Sequence, residues 1–538
     1  MKIRLFNLAE WCLAILLSLA VLFLLVVRAR HAGALWRDEC ASLQVAVIPT
    51  LHDLLQNFQR ESFPASFYLL LRGYTAILGT SDNVLRLLGF GVGVMLLAAT
   101  WINSRLLMNE PPLVAIALLG LNTTFLFWGT TIRAYGIGTV LSLLIFGLIA
   151  GVLIKPTSYR IAGAFVAALA AVQMLFYNSV IFMAMAFVVI AICWVRRRWT
   201  AAFAVVGIGL LCGISMLIYV RPFWNESEAT IVLRGPPLDL SWFWNELKPA
   251  FGNPPGVMTS VWITVFAAAT IGSVIRIWLI WPTKLAPEWD LLLFGLLAPV
   301  TSVIGYFFFL KIVGYGTREW YYLALLSVLA GAIDLLVANL ARIIAWIRGL
   351  RLVFAAAALF ALPLFAWPKI IERQTNMDLV AQRLEESADT HDLIVANPWY
   401  YGISFNWYYK GPTPWTTVPI MGDHRVHRFD LLKTKMITPN PIDDLRDQIT
   451  DTLKSGGRVW FVGGVWFLPE GEEPVDLPPA PGSEFGWSTD AYADFWSQQI
   501  GVFLRNHTFG GEVIRIRASG PVNELEHLDL LVIHGWRE

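Results

Sequence analysis

The apolar run WCLAILLSLAVLFLLVV, residues 11–27, is followed by Arg28, Arg30 and His31 and then by the motif Trp36-Arg37-Asp38-Glu39. An α-helix needs about 20 predominantly apolar residues to cross a bilayer, and this run with its flanks has that length. The basic N-terminus resembles that of a signal peptide, but basic residues stand where a small-residue cleavage site is expected. The stretch therefore predicts a retained first membrane span, with the acidic motif in the loop that follows it.

The composition of the whole chain also requires a bilayer. Of 538 residues, 57% are hydrophobic and only 15% are charged, whereas about a quarter are charged in an ordinary soluble domain. The mean hydropathy is +0.59. A formal net charge of +1 provides no basic surface for nucleic acid. We therefore expect membrane lipid as a partner and no nucleic acid.

About eleven segments have the length and apolar character of a membrane span. They are residues 10–28, 84–107, 112–128, 132–154, 160–177, 179–195, 199–220, 257–281, 291–311, 320–340 and 351–367. Basic residues, which favour the cytoplasmic side, lie in the loops that are cytoplasmic if the N-terminus is inside: Lys2, Arg4, Arg105, Lys155, Arg160, Arg196, Arg197, Arg198, Arg276, Lys284, Arg342, Arg348 and Arg351. We expect a polytopic α-helical protein of the inner (plasma) membrane with its C-terminus outside.

The composition changes at about Lys369. Charged residues become frequent between residues 372 and 392, and residues 369–538 have the size of a domain. Helical patterns at 377–390, 442–454 and 491–504 alternate with short apolar strands at 393–395, 459–462 and 528–533, which is typical of a small α/β domain. We therefore predict a transmembrane domain over residues 1–368 and an extracytoplasmic soluble α/β domain over residues 369–538.

Asp38 and Glu39 are the first candidates for chemistry, because ionisable groups at the mouth of a membrane bundle are costly to hold there. Adjacent residues point in different directions on a helix or a strand, so the two carboxylates are not expected to act as an equivalent pair. One can be a base while the other fixes geometry or pairs with Arg37. A solvated loop with an incidental ion pair is the alternative that the motif alone leaves open.

The loop that carries this motif continues to about Asn83, which is long for a connection. Within it, Leu51–Gln59 and Ser66–Leu78 have the apolar spacing of helices. We predict that both lie in the plane of the membrane interface, so that Asp38 and Glu39 stand beside interfacial helices.

Several short motifs, in their order along the chain, resemble the GT-C superfamily of integral-membrane glycosyltransferases. The resemblance is to the branch that contains protein O-mannosyltransferases and the lipid A aminoarabinose transferase, and it covers about residues 1–370 in layout. The motifs are Trp36-Arg37-Asp38-Glu39, Phe63-Pro64-Ala65-Ser66-Phe67-Tyr68-Leu69-Leu70-Leu71, Gly79, Leu85-Arg86, Ile132-Arg133-Ala134-Tyr135 and Tyr315-Gly316-Thr317-Arg318-Glu319-Trp320-Tyr321.

The resemblance implies transfer of a sugar, with inversion, from a polyprenyl-phosphate donor to a hydroxyl acceptor at the outer face of the membrane. Asp38 would be the base and Glu39 its support. A leaving phosphate needs cations nearby, and the expected donor-phosphate ligands are Arg37, Arg60, Arg133 and Arg318. The expected substrate-binding residues are Trp36, Tyr68, Tyr135, Trp224 and Tyr315. Snorkelling to lipid headgroups is the alternative for the arginines, and an interfacial aromatic belt is the alternative for Trp224.

The chain departs from the family pattern in two places. Many relatives have His or Lys followed by two prolines where this chain has Phe63-Pro64-Ala65, and metal-dependent branches have a second acid where this chain has Gly129-Thr130-Thr131-Ile132-Arg133. Divalent metals need several oxygen ligands, so a metal is possible but not favoured. A lipid-linked glycan transporter or flippase and an inactive glycan-binding relative stay open as rival functions. The acceptor stays open between glycan, lipid and protein.

The C-terminal domain contains two further groups of candidates. The segments at 397–401 and 406–409 are rich in aromatic residues, and we expect them to dock onto the bundle rather than to bind a glycan. Asp423, His424 and His427 have a possible metal-binding spacing, but with no further ligand nearby we expect this loop to be solvated.

Overall fold

The computed structural model describes residues 2–234, 238–279, 287–474, 477–482 and 484–538. The helices of the first half are α1 (Lys2–His31), α2 (Arg37–Ala46), α3 (Leu51–Asn57), α4 (Ala65–Leu78), α5 (Asp82–Leu107), α6 (Leu113–Ala115), α7 (Ala134–Ile154), α8 (Ser158–Met174), α9 (Tyr177–Val195), α10 (Trp199–Met216) and α11 (Val220–Glu226). Those of the second half are α12 (Leu240–Ala250), α13 (Pro255–Leu279), α14 (Pro287–Val313), α15 (Leu323–Ala341), α16 (Ala345–Ile370), α17 (Met377–Ser387), α18 (Tyr401–Tyr408), α19 (Phe429–Ile437), α20 (Asp443–Lys454) and α21 (Thr489–His507).

Short helical turns complete the helical part. The 3₁₀ helices are Phe58–Glu61, Leu217–Tyr219, Ala229–Leu233, Glu319–Tyr322 and Glu524–Glu526, and the π-helical turns are Ile116–Gly120 and Phe125–Gly129. The end of the predicted span 257–281 and the basic residue Lys284 lie outside the described residues.

Nine helices in the described part of the chain are long and apolar enough to cross a membrane, which makes this an integral membrane protein. They are Phe6–His31, Asp82–Leu107, Ala134–Ile154, Tyr177–Val195, Trp199–Glu226, Pro255–Leu279, Glu288–Val313, Glu319–Ala341 and Ala345–Ile370. The predicted count of about eleven is not confirmed. Residues 160–177 fall mostly on α8, which has only 17 residues. Residues 112–128 form a helix interrupted near Leu121 that is buried throughout.

The loop after α1 folds as its apolar spacing predicts. The segment predicted at 51–59 forms α3 and the 3₁₀ turn that follows it, and the segment predicted at 66–78 forms α4. The acidic motif itself begins α2, for which Trp36 is the N-cap residue. Asp38 and Glu39 therefore lie in the first turn of a helix, where the positive end of the helix dipole stabilises carboxylates.

The C-terminal region forms the predicted α/β domain around one five-stranded sheet. The strands are β1 (Leu393–Ala396), β2 (Trp415–Thr417), β3 (Val459–Val462), β4 (Gly511–Ile514) and β5 (Leu530–Ile533), in the order β2-β1-β3-β5-β4. β1 pairs in parallel with β2 and β3, whereas β5 is antiparallel to β3 and β4. β1, β3 and β5 are buried along their whole length, as their continuous apolar sequences predict.

Helix α18, from the aromatic segments of this domain, docks onto α2. The Gln44 side chain donates to the Ile403 carbonyl at 3.1 Å, and the Asn406 amide donates to the Gln44 side-chain oxygen at 2.6 Å. The Tyr408 hydroxyl donates to Asp82 at 2.9 Å, at the start of α5. These contacts confirm the expectation of docking, and they bring the loops of the C-terminal domain to the helix that carries Asp38.

Candidate active site

Glu39 is a buried anchor for the start of α2. Its carboxylate is fully buried and forms a two-point ion pair with Arg86 of α5, at 2.6 and 3.0 Å. It also accepts the backbone N–H groups of Trp36, at 3.2 Å, and Ile132, at 2.8 Å. Each carboxylate oxygen is therefore engaged twice. Glu39 therefore links the start of α2 to α5 and to the turn before α7.

Asp38 lies beside Glu39 but faces a different set of groups. Its side chain is 18% exposed and lies 3.4 Å from the Arg37 Nε and 3.7 Å from an Arg133 guanidinium nitrogen. The His427 Nε2 is also 3.7 Å from Asp38 Oδ1. Asp38 is thus partly exposed and lies close to two arginines and a histidine. Unlike Glu39, its side chain is not held by four hydrogen bonds.

A second carboxylate, Glu61, completes this group from the 3₁₀ turn before α4. One of its oxygens lies 3.2 Å from Arg133. The other accepts both the backbone N–H and the ring Nδ1 of His427, each at 2.8 Å. Asp38, Glu61, Arg133 and His427 therefore form one cluster, built from α2, the first loop, the turn before α7 and the C-terminal domain.

Arg133 is held in this cluster by close backbone packing. A side chain on Gly136 would place its Cβ 1.8 Å from the Gly129 carbonyl, and one on Gly89 would place it 2.0 Å from the Thr130 carbonyl. Real Cβ atoms do not approach so closely, so only glycine fits at both positions. The 129–133 turn is therefore packed tightly between α5 and α7. The Arg133 guanidinium also stacks over the Phe63 ring, 4.5 Å from its centroid.

The charges of the cluster keep both carboxylates ionised. Burial alone would raise the pKa of Asp38, but its neighbours Arg133, His427 and Arg37 outweigh it and lower that pKa. Burial likewise opposes ionisation of Glu61, and the contact with and hydrogen bonds from His427, together with Arg133, lower its pKa. Both groups are therefore proton acceptors at neutral pH.

The four expected phosphate ligands separate in the structure. Arg37 and Arg133 lie at Asp38, and the Arg37 guanidinium stacks on the Tyr400 ring at 4.2 Å. Arg60 pairs with Asp430 of the C-terminal domain at 3.1 Å and lies 3.8 Å from Glu226. Arg318 is exposed, and none of the ion pairs among the described residues joins it to Asp38 or Glu61.

Three of the five expected aromatic ligands, Trp36, Tyr68 and Tyr135, are buried. Trp36 packs against Trp128 and Trp320, with centroids 5.3 and 5.9 Å apart. Tyr135 and Tyr68 are buried and both pack against Phe63, below the Arg133 guanidinium.

The remaining two aromatic candidates lie elsewhere. Trp224 is 76% exposed on α11, which fits the aromatic-belt alternative better than a place at Asp38. The Tyr315 hydroxyl donates to Thr230 at 2.7 Å and joins two loops. Neither residue contacts the described side chains of the Asp38 cluster.

Arg133 contacts both acidic side chains of the cluster, Asp38 and Glu61. Its guanidinium contacts Asp38 at 3.7 Å and Glu61 at 3.2 Å. In the described part of the chain, no group of three or more His, Cys, Asp or Glu residues is arranged to hold a metal ion.

Sequence reasoning missed Glu61 and His427. Glu61 is not among the candidates that the sequence predicts. The expectation that the His427 loop is solvated is wrong, because the ring is only 13% exposed and is bonded to Glu61. One signal pointed to Glu61. Arg133 stands in a short turn against the bundle, and a buried guanidinium needs a carboxylate partner.

The molecule has a fold of GT-C type. It is similar over 96% of its length to the crystal structure of ArnT from Cupriavidus metallidurans bound to undecaprenyl phosphate, with a TM-score of 0.52, 10% identity and 97% of that chain covered. The apo structure of the same protein gives a TM-score of 0.49 at 10% identity, covering 96% of this chain and 97% of that one.

A further similar structure is the Archaeoglobus fulgidus oligosaccharyltransferase AglB in complex with an inhibitory peptide and a dolichol-phosphate. Its TM-score is 0.47 at 10% identity, with 84% of this chain and 69% of that chain covered. No protein-family model matches the sequence, and a search of curated proteins finds no match. The likeness therefore concerns the fold, and the function has to be argued from the site.

Proposed function

We propose that this protein is an inverting glycosyltransferase that moves a sugar from a polyprenyl-phosphate donor to a hydroxyl acceptor at the outer face of the membrane. Asp38 carries the proposal. It is an ionised, partly exposed carboxylate between Arg37 and Arg133, and it is set apart from a neighbour, Glu39, that is buried and fully bonded.

The reaction assigns one role to each of these groups. Asp38 takes the proton of the acceptor hydroxyl while the acceptor oxygen attacks the anomeric carbon from the face opposite the phosphate. The bond between that carbon and the phosphate oxygen breaks, which inverts the configuration. Negative charge then develops on the leaving phosphate, and cations placed there in advance stabilise it. Arg37 suits this role because its side chain is 23% exposed.

The lipid carrier is supported by the fold as well as by the charges. The structure of ArnT that this chain resembles was solved with undecaprenyl phosphate, a member of the carrier class proposed here. With the N-terminus in the cytoplasm, α2 and the C-terminal domain lie on the outer side of the inner membrane, where a lipid-linked donor and a glycan, lipid or protein acceptor can meet.

Transfer from a labelled donor tests this function directly. The purified protein in nanodiscs is supplied with radiolabelled polyprenyl-phosphate hexose and a membrane extract as the source of acceptors. We expect label to move to an acceptor, and Asp38→Asn to lower the rate about 100-fold or more because the base is lost. Asp53→Asn, in the same loop but outside the cluster, is the matched control and retains activity.

Two results would contradict the proposal. Full transfer by Asp38→Asn, with the elution profile and thermal midpoint of the native protein, removes Asp38 as the base. Movement of the intact labelled lipid between leaflets of a liposome, without transfer of its sugar, identifies a flippase instead.

A further inference from the structure

His427 reaches the cluster from the loop between β2 and α19. Its ring stacks on Phe429, with centroids 5.6 Å apart and planes 9° apart, and stands at 87° to the Trp399 ring at 6.1 Å. Two rings of its own domain and a buried carboxylate of the first loop therefore hold the imidazole in one orientation. A solvent-exposed histidine would lack these ring contacts and this hydrogen bond.

The hydrogen bonds of Glu61 decide which ring nitrogen of His427 carries a proton. One oxygen of Glu61 accepts both the backbone N–H and the ring Nδ1 of His427 at 2.8 Å. The pKa of Glu61 is lowered, so this carboxylate is ionised and can only accept. Nδ1 therefore carries hydrogen, and in the neutral ring Nε2 has the free lone pair. That Nε2 is the atom that faces Asp38 at 3.7 Å.

We infer that His427 of the C-terminal domain receives, through Nε2, the proton that Asp38 takes from the acceptor hydroxyl. This inference rests on the proposed function. The acceptor O–H bond breaks as its oxygen bonds to the anomeric carbon, and the proton passes to Asp38 and then to Nε2. The departing lipid phosphate keeps the electron pair of the broken bond. His427 later returns the proton to water, and Glu61 holds the imidazolium while it exists.

The charges around His427 suit a transient imidazolium. Asp38 from α2 and Glu61 from the 3₁₀ turn face its two ring nitrogens, and Arg133 pairs with both carboxylates from the other side. Four charged residues of its own loop and of the start of α19 pair with one another at 2.7–3.1 Å, and one of them, Asp430, also pairs with Arg60 at 3.1 Å: Asp423, Arg425, Arg428 and Asp430. The two carboxylates are therefore the groups that stabilise a charged ring.

Two substitutions separate this role from simple anchoring. In His427→Asn the side-chain amide nitrogen can stand where Nδ1 stands and keep the bond to Glu61, but nothing replaces Nε2. We expect kcat to fall about 100-fold, KM for the donor to change less than about twofold, and the thermal midpoint to stay. In His427→Ala the ring is gone, and added imidazole is expected to restore part of kcat.

The control for both substitutions is His391→Asn, because His391 is an exposed histidine of the same domain whose ring contacts only its neighbours in sequence. It is expected to retain full activity. Imidazole is not expected to rescue Asp38→Ala, because the proton must pass through the carboxylate first.

The role of His427 is overturned if His427→Asn retains the native kcat. It is also overturned if kcat is lost in both variants and imidazole restores none of it, since His427 would then only hold the two domains together. Wild-type protein that transfers no sugar contradicts the proposed function itself. A wild-type protein that is active, together with an inactive Asp38→Asn, leaves that function standing whatever the His427 variants show.

Discussion

Replacing Glu39 with Gln should loosen the start of α2 far more than any surface substitution. Arg86 would keep its bonds to the Gly33 and Ala34 carbonyls, at 3.0 and 2.7 Å, but its charge would lose its carboxylate partner. Both side chains of the pair are at most 5% exposed, so solvent cannot compensate. Removing one partner of a buried ion pair costs about 3–5 kcal/mol.

Hydrogen exchange measures this change where it occurs. The backbone N–H groups of Trp36 and Ile132 both donate to Glu39, so their exchange reports opening of this contact. A loss of about 3–5 kcal/mol corresponds to an increase in the open population of roughly 140- to 3,700-fold, at about 1.4 kcal/mol per tenfold. Peptides that cover residues 33–39 and 129–133 should exchange faster by that factor, while the sheet of the C-terminal domain should not change.

A double substitution tests whether the ion pair is the cause. Glu39→Gln combined with Arg86→Met removes the stranded charge, and we expect it to recover about 1–3 kcal/mol relative to the sum of the two single changes. The backbone groups that lost their partners keep the recovery incomplete. Native exchange at both peptides in Glu39→Gln, or strictly additive single and double variants, would refute the assignment of Glu39 as the anchor.

Two further changes give distinct outcomes. Gly136→Ala must displace the turn that carries Arg133, because its Cβ would meet the Gly129 carbonyl at 1.8 Å. We therefore expect kcat/KM for transfer to fall at least about tenfold. Gly73→Ala, with nothing within 4 Å of the added Cβ, is the control, and unchanged activity in both variants would contradict the close packing of this turn. Burial raises the pKa of Glu526 to about 7, against an ordinary 4.5, so it contributes stability below pH 4.5 that is lost as the pH rises through 7. The thermal midpoint of the native protein should therefore fall between pH 5 and pH 8, and Glu526→Gln should flatten that dependence; an equal fall in both proteins would contradict it.

The parts of this protein that follow local rules could be predicted from the sequence. Long apolar segments must be helices in a bilayer, because no other structure in one segment satisfies its own backbone there. The short apolar segments that form β1, β3 and β5 likewise predict buried strands in the water-soluble domain. The division between Asp38 and Glu39 also follows, because neighbouring residues on a helix face different directions.

The irregular helix at residues 113–129 shows where such rules stop. The segment is apolar enough to be taken for a span, but it is interrupted near Leu121 and buried on all sides between other helices. Hydropathy measures how apolar a residue is, and it does not distinguish burial in lipid from burial in protein. Hydropathy alone therefore could not predict the number of spans.

The contact between Glu61 and His427 could not be predicted from the sequence, for a different reason. These residues are 366 positions apart, and each stands in a loop with no periodic pattern. What brings them together is the docking of α18 onto α2, which depends on the shapes and hydrogen bonds of both domains at once. A sequence can show that Arg133 needs a counter-charge, but the fold decides which carboxylate supplies it.

The low pKa of Asp38 explains why the site has more than one proton acceptor. Arg133 and Arg37 stabilise the ionised carboxylate, which keeps it ready to accept a proton but makes it a weak base that does not retain one. Such a group helps most in the transition state, when the attacking hydroxyl becomes acidic. The proton then needs a better acceptor close by, and the oriented Nε2 of His427 lies 3.7 Å away. The C-terminal domain is therefore part of the proposed chemistry, because it supplies the ring nitrogen that faces Asp38.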